Sequence, residues 1–152
     1  MGLREDIALL QGLSIFDGLS EEYLRLLAFG AERRRLEAGH VLFREGASAD
    51  CAFVVLSGEM RLTRDKLAGS EQVIGDAGPG SILTEIAMIS EASRHFTATA
   101  AVESEVMRVS RVLFHRMLQE YPEVARATEQ RLRENFTTLT GALALATSRL
   151  GD

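Results

Sequence analysis

With 152 residues, of which 46% are hydrophobic and 26% charged, the chain is long enough for one well-buried core and too short for two ordinary domains, and it is not of disordered composition. A formal net charge of −5 argues against a nucleic-acid footprint, and the one basic cluster, Arg33-Arg34-Arg35, is flanked by Glu32 and Glu37 as the solvated start of a strand would be. No apolar run approaches the roughly 20 residues of a membrane span. The N-terminus is not of signal-peptide type, and the single Cys51 excludes an intrachain disulfide or a cysteine-rich metal site. The expectation is one cytoplasmic domain over residues 1–152, with no membrane and no nucleic-acid partner.

Residues 1–32 carry two short helices. Leu3, Ile7 and Leu10 fall at helical spacing, and Ser20 before Glu21 and Glu22 reads as an N-cap with an acidic first turn leading into Tyr23, Leu24 and Leu27. From Arg33 to Val109 the texture changes to short β-rich runs between glycine turns, which predicts about eight strands. The clearest are Val41–Phe43, Ala52–Leu56, Glu59–Thr63, Gln72–Ile74 and Glu105–Val109, with Cys51 a small core or strand residue. Their spacing suggests a closed or nearly closed antiparallel barrel with alternating inward and outward side chains.

The segment from Gly80 to Thr97 carries the chemistry. Gly78-Pro79-Gly80 breaks the preceding strand, and Glu85-Ile86-Ala87-Met88-Ile89 makes a helical turn or two whose first N–H groups attract anions. Arg94 follows beyond the polar loop Ser90-Glu91-Ala92-Ser93. A guanidinium grips two phosphate oxygens, and a carboxylate accepts from a ribose hydroxyl, so Glu85 and Arg94 together suit a sugar phosphate. Strand alternation puts His95, Thr97 and Thr99 on one face and Phe96, Ala98 and Ala100 on the other, which directs His95 toward a ligand.

This stretch resembles the phosphate-binding cassette of the cyclic nucleotide-binding domain family, which runs roughly Phe-Gly-Glu-Leu-Ala, a loop, then Pro-Arg-Ala-Ala-Thr. Here the positions read Leu83-Thr84-Glu85-Ile86-Ala87 and Ser93-Arg94-His95-Phe96-Thr97. Ile15-Phe16-Asp17-Gly18-Leu19-Ser20-Glu21-Glu22 and the turns Glu37-Ala38-Gly39, Arg44-Glu45-Gly46 and Leu56-Ser57-Gly58-Glu59 extend the likeness beyond the cassette. The resemblance implies a mainly β fold with flanking helices, an antiparallel β-roll over 33–109 with the cassette at 80–97. It implies that Glu85 takes the ribose 2′-hydroxyl, Arg94 the cyclic phosphate, and the Ile86 and Ala87 amides the phosphate oxygens, with Thr84, His95 and Thr97 beside them. Thr84, Ser93, His95 and Phe96 depart from the pattern. Thr84 stands where a glycine lets the backbone approach the ligand or supplies an unusual φ, and a β-branched side chain there narrows both options. Members that select cyclic GMP (cGMP) often place Ser or Thr after the cassette arginine; with His95 there, cyclic AMP (cAMP) is the expected ligand.

After the roll, Ser110 caps a helix through Val112, Leu113, Phe114, Met117 and Leu118 that ends before Pro122. The last segment places Leu132, Phe136, Leu139, Leu143, Ala146 and Leu150 at spacings of 4, 3, 4, 3 and 4, a heptad seam that seeks a second copy. The resemblance makes the C-terminal helices, 110–150, the moving part: Phe136 or Leu139 covers the base, and Asn135, Thr138 or Thr140 reaches its edge. The reading is a regulatory, non-enzymatic cyclic nucleotide sensor, homodimeric through its last helix, with no cofactor beyond the ligand and with a downstream protein partner. Its competitor is a degenerate β-roll acting as a dimeric scaffold or binding another anionic metabolite. Metal-dependent catalysis has little support, because His40, His95 and His115 form no metal-ligand spacing.

Overall fold

In the computed structural model the described residues are 2–13, 16, 20–66, 69–122, 126, 130, 133 and 134. Two helices, α1 (Leu3–Gln11) and α2 (Glu21–Gly30), lead into the strands. These are β1 (Glu32–Leu36), β2 (Val41–Phe43), β3 (Ser48–Ala49), β4 (Cys51–Ser57), β5 (Met60–Asp65), β6 (Glu71–Ala77), β7 (Ile82–Leu83), β8 (Ala92–Ser93), β9 (Thr97–Ala100) and β10 (Ser104–Ser110), and helix α3 (Arg111–Glu120) follows. The caps are those the sequence predicts: Ser20 Oγ accepts from the Tyr23 N–H at 3.2 Å, and Ser110 Oγ from the Leu113 N–H at 3.0 Å.

The strands pair antiparallel in two four-stranded sheets, ordered β1-β10-β4-β7 and β2-β9-β5-β6, with a β3-β8 ribbon between them. This is a β-roll, built as two facing ladders in place of one closed barrel. The sequence predicts about eight strands and ten are present among the described residues, of which β3, β7 and β8 are two residues long and too short to show any periodicity. His95 and Phe96 also differ from expectation: they form a bend before β9, so alternation does not begin until Thr97.

β4 organises the core. Its first six residues are buried, because both faces are covered. Ala52, Val54 and Leu56 join Leu10, Leu24, Leu27, Met107, Phe114 and Met117 beneath the helices. Cys51, Phe53 and Val55 face the roll interior with Phe43, Met60, Leu83, Ala98 and Val106. The Gly58 turn after β4 has φ +84, and a Cβ there would come within 2.6 Å of the Glu103 carbonyl, so both conformation and space require glycine.

The arginine cluster forms the exposed start of β1, as its charge pattern suggests, and Arg33 makes contacts across elements. Arg33 bridges Asp6 of α1 at 2.8 Å and Glu105 of β10 at 2.6 Å, tying the first helix to the sheet. Asp6 is 2% exposed, and its burial pushes the carboxyl above the ordinary range despite the opposing Arg33 charge. No helix among the described residues is long and apolar enough to cross a membrane.

Candidate functional site

The cassette turn is a single 3₁₀ helix, Glu85–Met88, entered through Thr84 in the left-handed region at φ 57, ψ 49. Thr84 is the only non-glycine with positive φ among the described residues, so the position keeps the backbone that glycine would supply and a β-branched side chain bears the strain. Its hydroxyl is buried without a hydrogen-bond partner among the described residues. The Ala87 N–H donates to the Thr84 carbonyl at 3.1 Å, which occupies one of the two amides expected to face a phosphate; the Ile86 amide lies ahead of that first bond.

Beside the turn is a cavity of about 270 Å³. Leu62, Ile74, Ile82, Leu83 and Phe96 give it apolar walls, while Arg64, Thr84, Glu85 and His95 supply its polar groups. That mixture, few convergent polar groups in an apolar enclosure, suits a small ligand with one apolar and one polar end. Glu85 is half-buried; desolvation holds its carboxyl above the usual range, and it has no cationic partner among the described residues. Arg64 was not foreseen from the sequence. Its Nε donates to the His95 carbonyl at 2.8 Å, which aligns the side chain along the cavity wall. Its position in β5 on the same face as Leu62 was the available clue.

Thr84, Glu85, Ile86 and His95 therefore line the cavity, and Arg94, Ala87 and Thr97 do not. Thr97 turns its hydroxyl to accept the Glu45 N–H at 2.9 Å, a structural bond. Arg94 is only 5% exposed. Its guanidinium carbon lies 4.4 Å from the Phe43 ring centre and 5.3 Å from that of Phe53, and Nη2 donates to Cys51 Sγ at 3.2 Å. Nε and Nη1 have no hydrogen-bond partner among the described residues. Asn135, Phe136, Thr138, Leu139 and Thr140, the expected base lid, and the heptad seam lie outside the described residues.

The cassette is tied to α3. Arg111 Nε donates to the Ala87 carbonyl at 3.0 Å and Nη2 to the Ala49 carbonyl at 2.7 Å, while Ile86, Met88 and Ile89 share a core with Phe114 and Met117. A larger, open groove of about 600 Å³ near Asp50, Glu91 and Arg111 is a poorer anion site, since two carboxylates face it and its arginine is already engaged. Among the described residues no group of three His, Cys, Asp or Glu is placed to hold a metal.

Known proteins share this fold. A cyclic nucleotide-binding-like protein from Brucella abortus is 46% identical, covers 76% of this chain and 98% of its own, and superposes with a TM-score of 0.71. The regulatory domain of Toxoplasma gondii PKA, solved with cAMP, is 26% identical over 76% of this chain and 44% of its own, with a TM-score of 0.69. Lysophospholipase nte1 of Neurospora crassa is 33% identical over 115 residues, which are 74% of this chain but only 8% of that protein. The chain thus spans less than a tenth of the length of that relative. The cyclic nucleotide-binding domain pattern itself matches residues 33–121, from the first strand through the end of α3. With roll, cassette turn and cavity all inside that match, the chain belongs to the cyclic nucleotide-binding domain family.

Proposed function

We propose that the chain is a regulatory module that binds a purine cyclic mononucleotide in the cavity beside the Glu85 turn, with cAMP preferred over cGMP. The observation that carries this reading is a pair of unmet polar groups lining one small cavity, with a third, Arg94, buried next in sequence to its His95 wall. Glu85 is a half-buried carboxylate without a cation, Thr84 has a buried hydroxyl without a partner, and Arg94 is a buried guanidinium with two unpaired nitrogens. Leaving such groups unpaired costs about 1–3 kcal/mol each. A ribose hydroxyl and an anionic phosphate would satisfy them, and the apolar walls at Leu62, Ile74 and Phe96 suit a base.

Occupancy passes to the C-terminal segment. Arg111 holds the cassette turn and β3 at once, and the Ile86–Phe114 core moves with either partner, so ligand that shifts the turn shifts α3. The size of that response is set by the difference in ligand affinity between the two arrangements. The module acts on a partner protein in the cytoplasm, as a homodimer joined through the heptad seam, and performs no chemistry itself. One observation favours the competing reading of a degenerate pocket: the cassette arginine does not line the cavity. Thermal unfolding with cAMP, cGMP and cyclic dinucleotides separates the two. A ligand at 100 times its dissociation constant stabilises the fold by about 2.7 kcal/mol; absence of a shift with all of them supports the scaffold.

A further inference from the structure

We infer that Cys51 is a positioning residue for the cassette arginine: with Phe43 and Phe53 it forms a cage that holds Arg94 out of the cavity and competes with the ligand's phosphate for the guanidinium. The inference rests on the cyclic nucleotide reading. Its starting point is that Arg94 is 95% buried by contacts other than those of a ligand, since it is 5% exposed while the cavity beside it is lined by its neighbours His95 and Phe96.

The cage has three parts. Phe43 and Phe53 stack on one another with ring centres 5.9 Å apart, and the guanidinium carbon sits 4.4 Å and 5.3 Å from them. Such contacts attract a desolvated cation. Cys51, 1% exposed at the start of β4, supplies the guanidinium's only hydrogen-bond acceptor among the described residues, Sγ at 3.2 Å from Nη2. Nη2 is the nitrogen common to both edges through which a guanidinium grips two oxygens, so the sulfur engages the atom that a phosphate needs.

Three features place this cage close to balance. Nε and Nη1 are buried and unpaired, which penalises the retracted side chain. Sulfur is a weak acceptor, so its hold is slight. The backbone of Arg94 is pinned on both sides, its N–H donating to Ala47 and its carbonyl accepting from Gly46, each at 2.8 Å. Only side-chain rotation is therefore required for release, and the backbone that presents the arginine stays in place. A small change at residue 51 then shifts the share of molecules with Arg94 available, and apparent affinity scales with that share.

The test is calorimetric titration of cAMP into wild type, Cys51→Ala, Cys51→Ser and Phe43→Leu. Removing the acceptor frees the arginine, so Cys51→Ala tightens binding by about 3–10-fold, and Phe43→Leu acts in the same direction. Cys51→Ser substitutes a stronger acceptor and weakens binding relative to wild type. The order Ala, then Cys, then Ser is one that packing damage does not produce, because damage would weaken both variants alike; melting temperatures without ligand confirm that each is folded. Unchanged or weaker affinity in Cys51→Ala, with wild type binding normally, overturns the cage and leaves the cyclic nucleotide reading intact. Wild type that binds no cyclic nucleotide overturns both.

Discussion

Restoring glycine at position 84 should make the ligand-free protein more stable and a poorer binder. In the present chain Thr84 adopts φ 57, ψ 49, a conformation that costs a residue with a Cβ about 1–2 kcal/mol. Its buried, unpaired hydroxyl adds a desolvation cost of about 1–3 kcal/mol. Against these stands the larger unfolded-state entropy of glycine, about 0.5–1 kcal/mol. The balance for Thr84→Gly is a gain of about 1–4 kcal/mol, which for a chain of this size raises Tm by roughly 2–4 °C per kcal/mol. Urea unfolding should show a higher midpoint at unchanged slope. Titration should show the opposite trend, with cAMP affinity about ten-fold weaker, because the proposed binding mode loses the hydroxyl that the ligand would satisfy. Thr84→Ser, which keeps the hydroxyl, should retain affinity. A Thr84→Gly protein that is less stable would refute the strain argument, and one that binds more tightly would show that Thr84 crowds the site and does not contact ligand.

Three further outcomes follow from the same geometry. Burial raises the Glu85 pKa, so this group favours the folded state below the ordinary carboxylate pKa and loses that contribution as pH rises through its raised value; Glu85→Gln should therefore gain stability over wild type toward neutral pH, while losing the wild-type fall in cAMP affinity on acidification. pH-dependent unfolding and titration check both halves, and parallel curves for the two proteins would contradict the assignment. Tyr23 Oη is buried without a partner and its pKa is pushed up to about 12 by desolvation, so Tyr23→Phe should stabilise the fold by about 1 kcal/mol in a denaturant titration. Arg111→Met should break the bonds to Ala87 and Ala49, leaving cAMP affinity within about three-fold while abolishing any ligand-dependent change in hydrogen exchange of α3; a preserved response would assign the coupling to the Ile86–Phe114 packing instead.

Local features carried most of the fold in the sequence. Ser20 and Ser110 cap helices because their side chains replace missing backbone acceptors within three residues, and β4 is legible because burial on both faces leaves an unbroken apolar run. The glycine-to-threonine departure at position 84 also pointed to its own consequence, a left-handed residue that lacks glycine's freedom. What could not be read depends on contacts distant in sequence. β3 and β8 are two residues long and exist only because they pair with each other. His95 lines the cavity from a bend, so strand alternation was the wrong argument for it. Arg94 was expected in the pocket, and its retraction onto Phe43, Phe53 and Cys51 is fixed by three side chains from two other strands. Arg64 belonged to no motif, and only the fold of β5 beside β9 brings it to the site.

The central claim is that the cassette of this chain still takes a cyclic nucleotide, and calorimetric titration of cAMP into wild type and Arg94→Ala tests it most directly. Saturable binding at one site per chain, weakened in the variant by at least about 1.5–3 kcal/mol, the scale of a charged hydrogen-bonding partner, is the expected result. Equal affinity in the two proteins, or no binding to wild type, contradicts it.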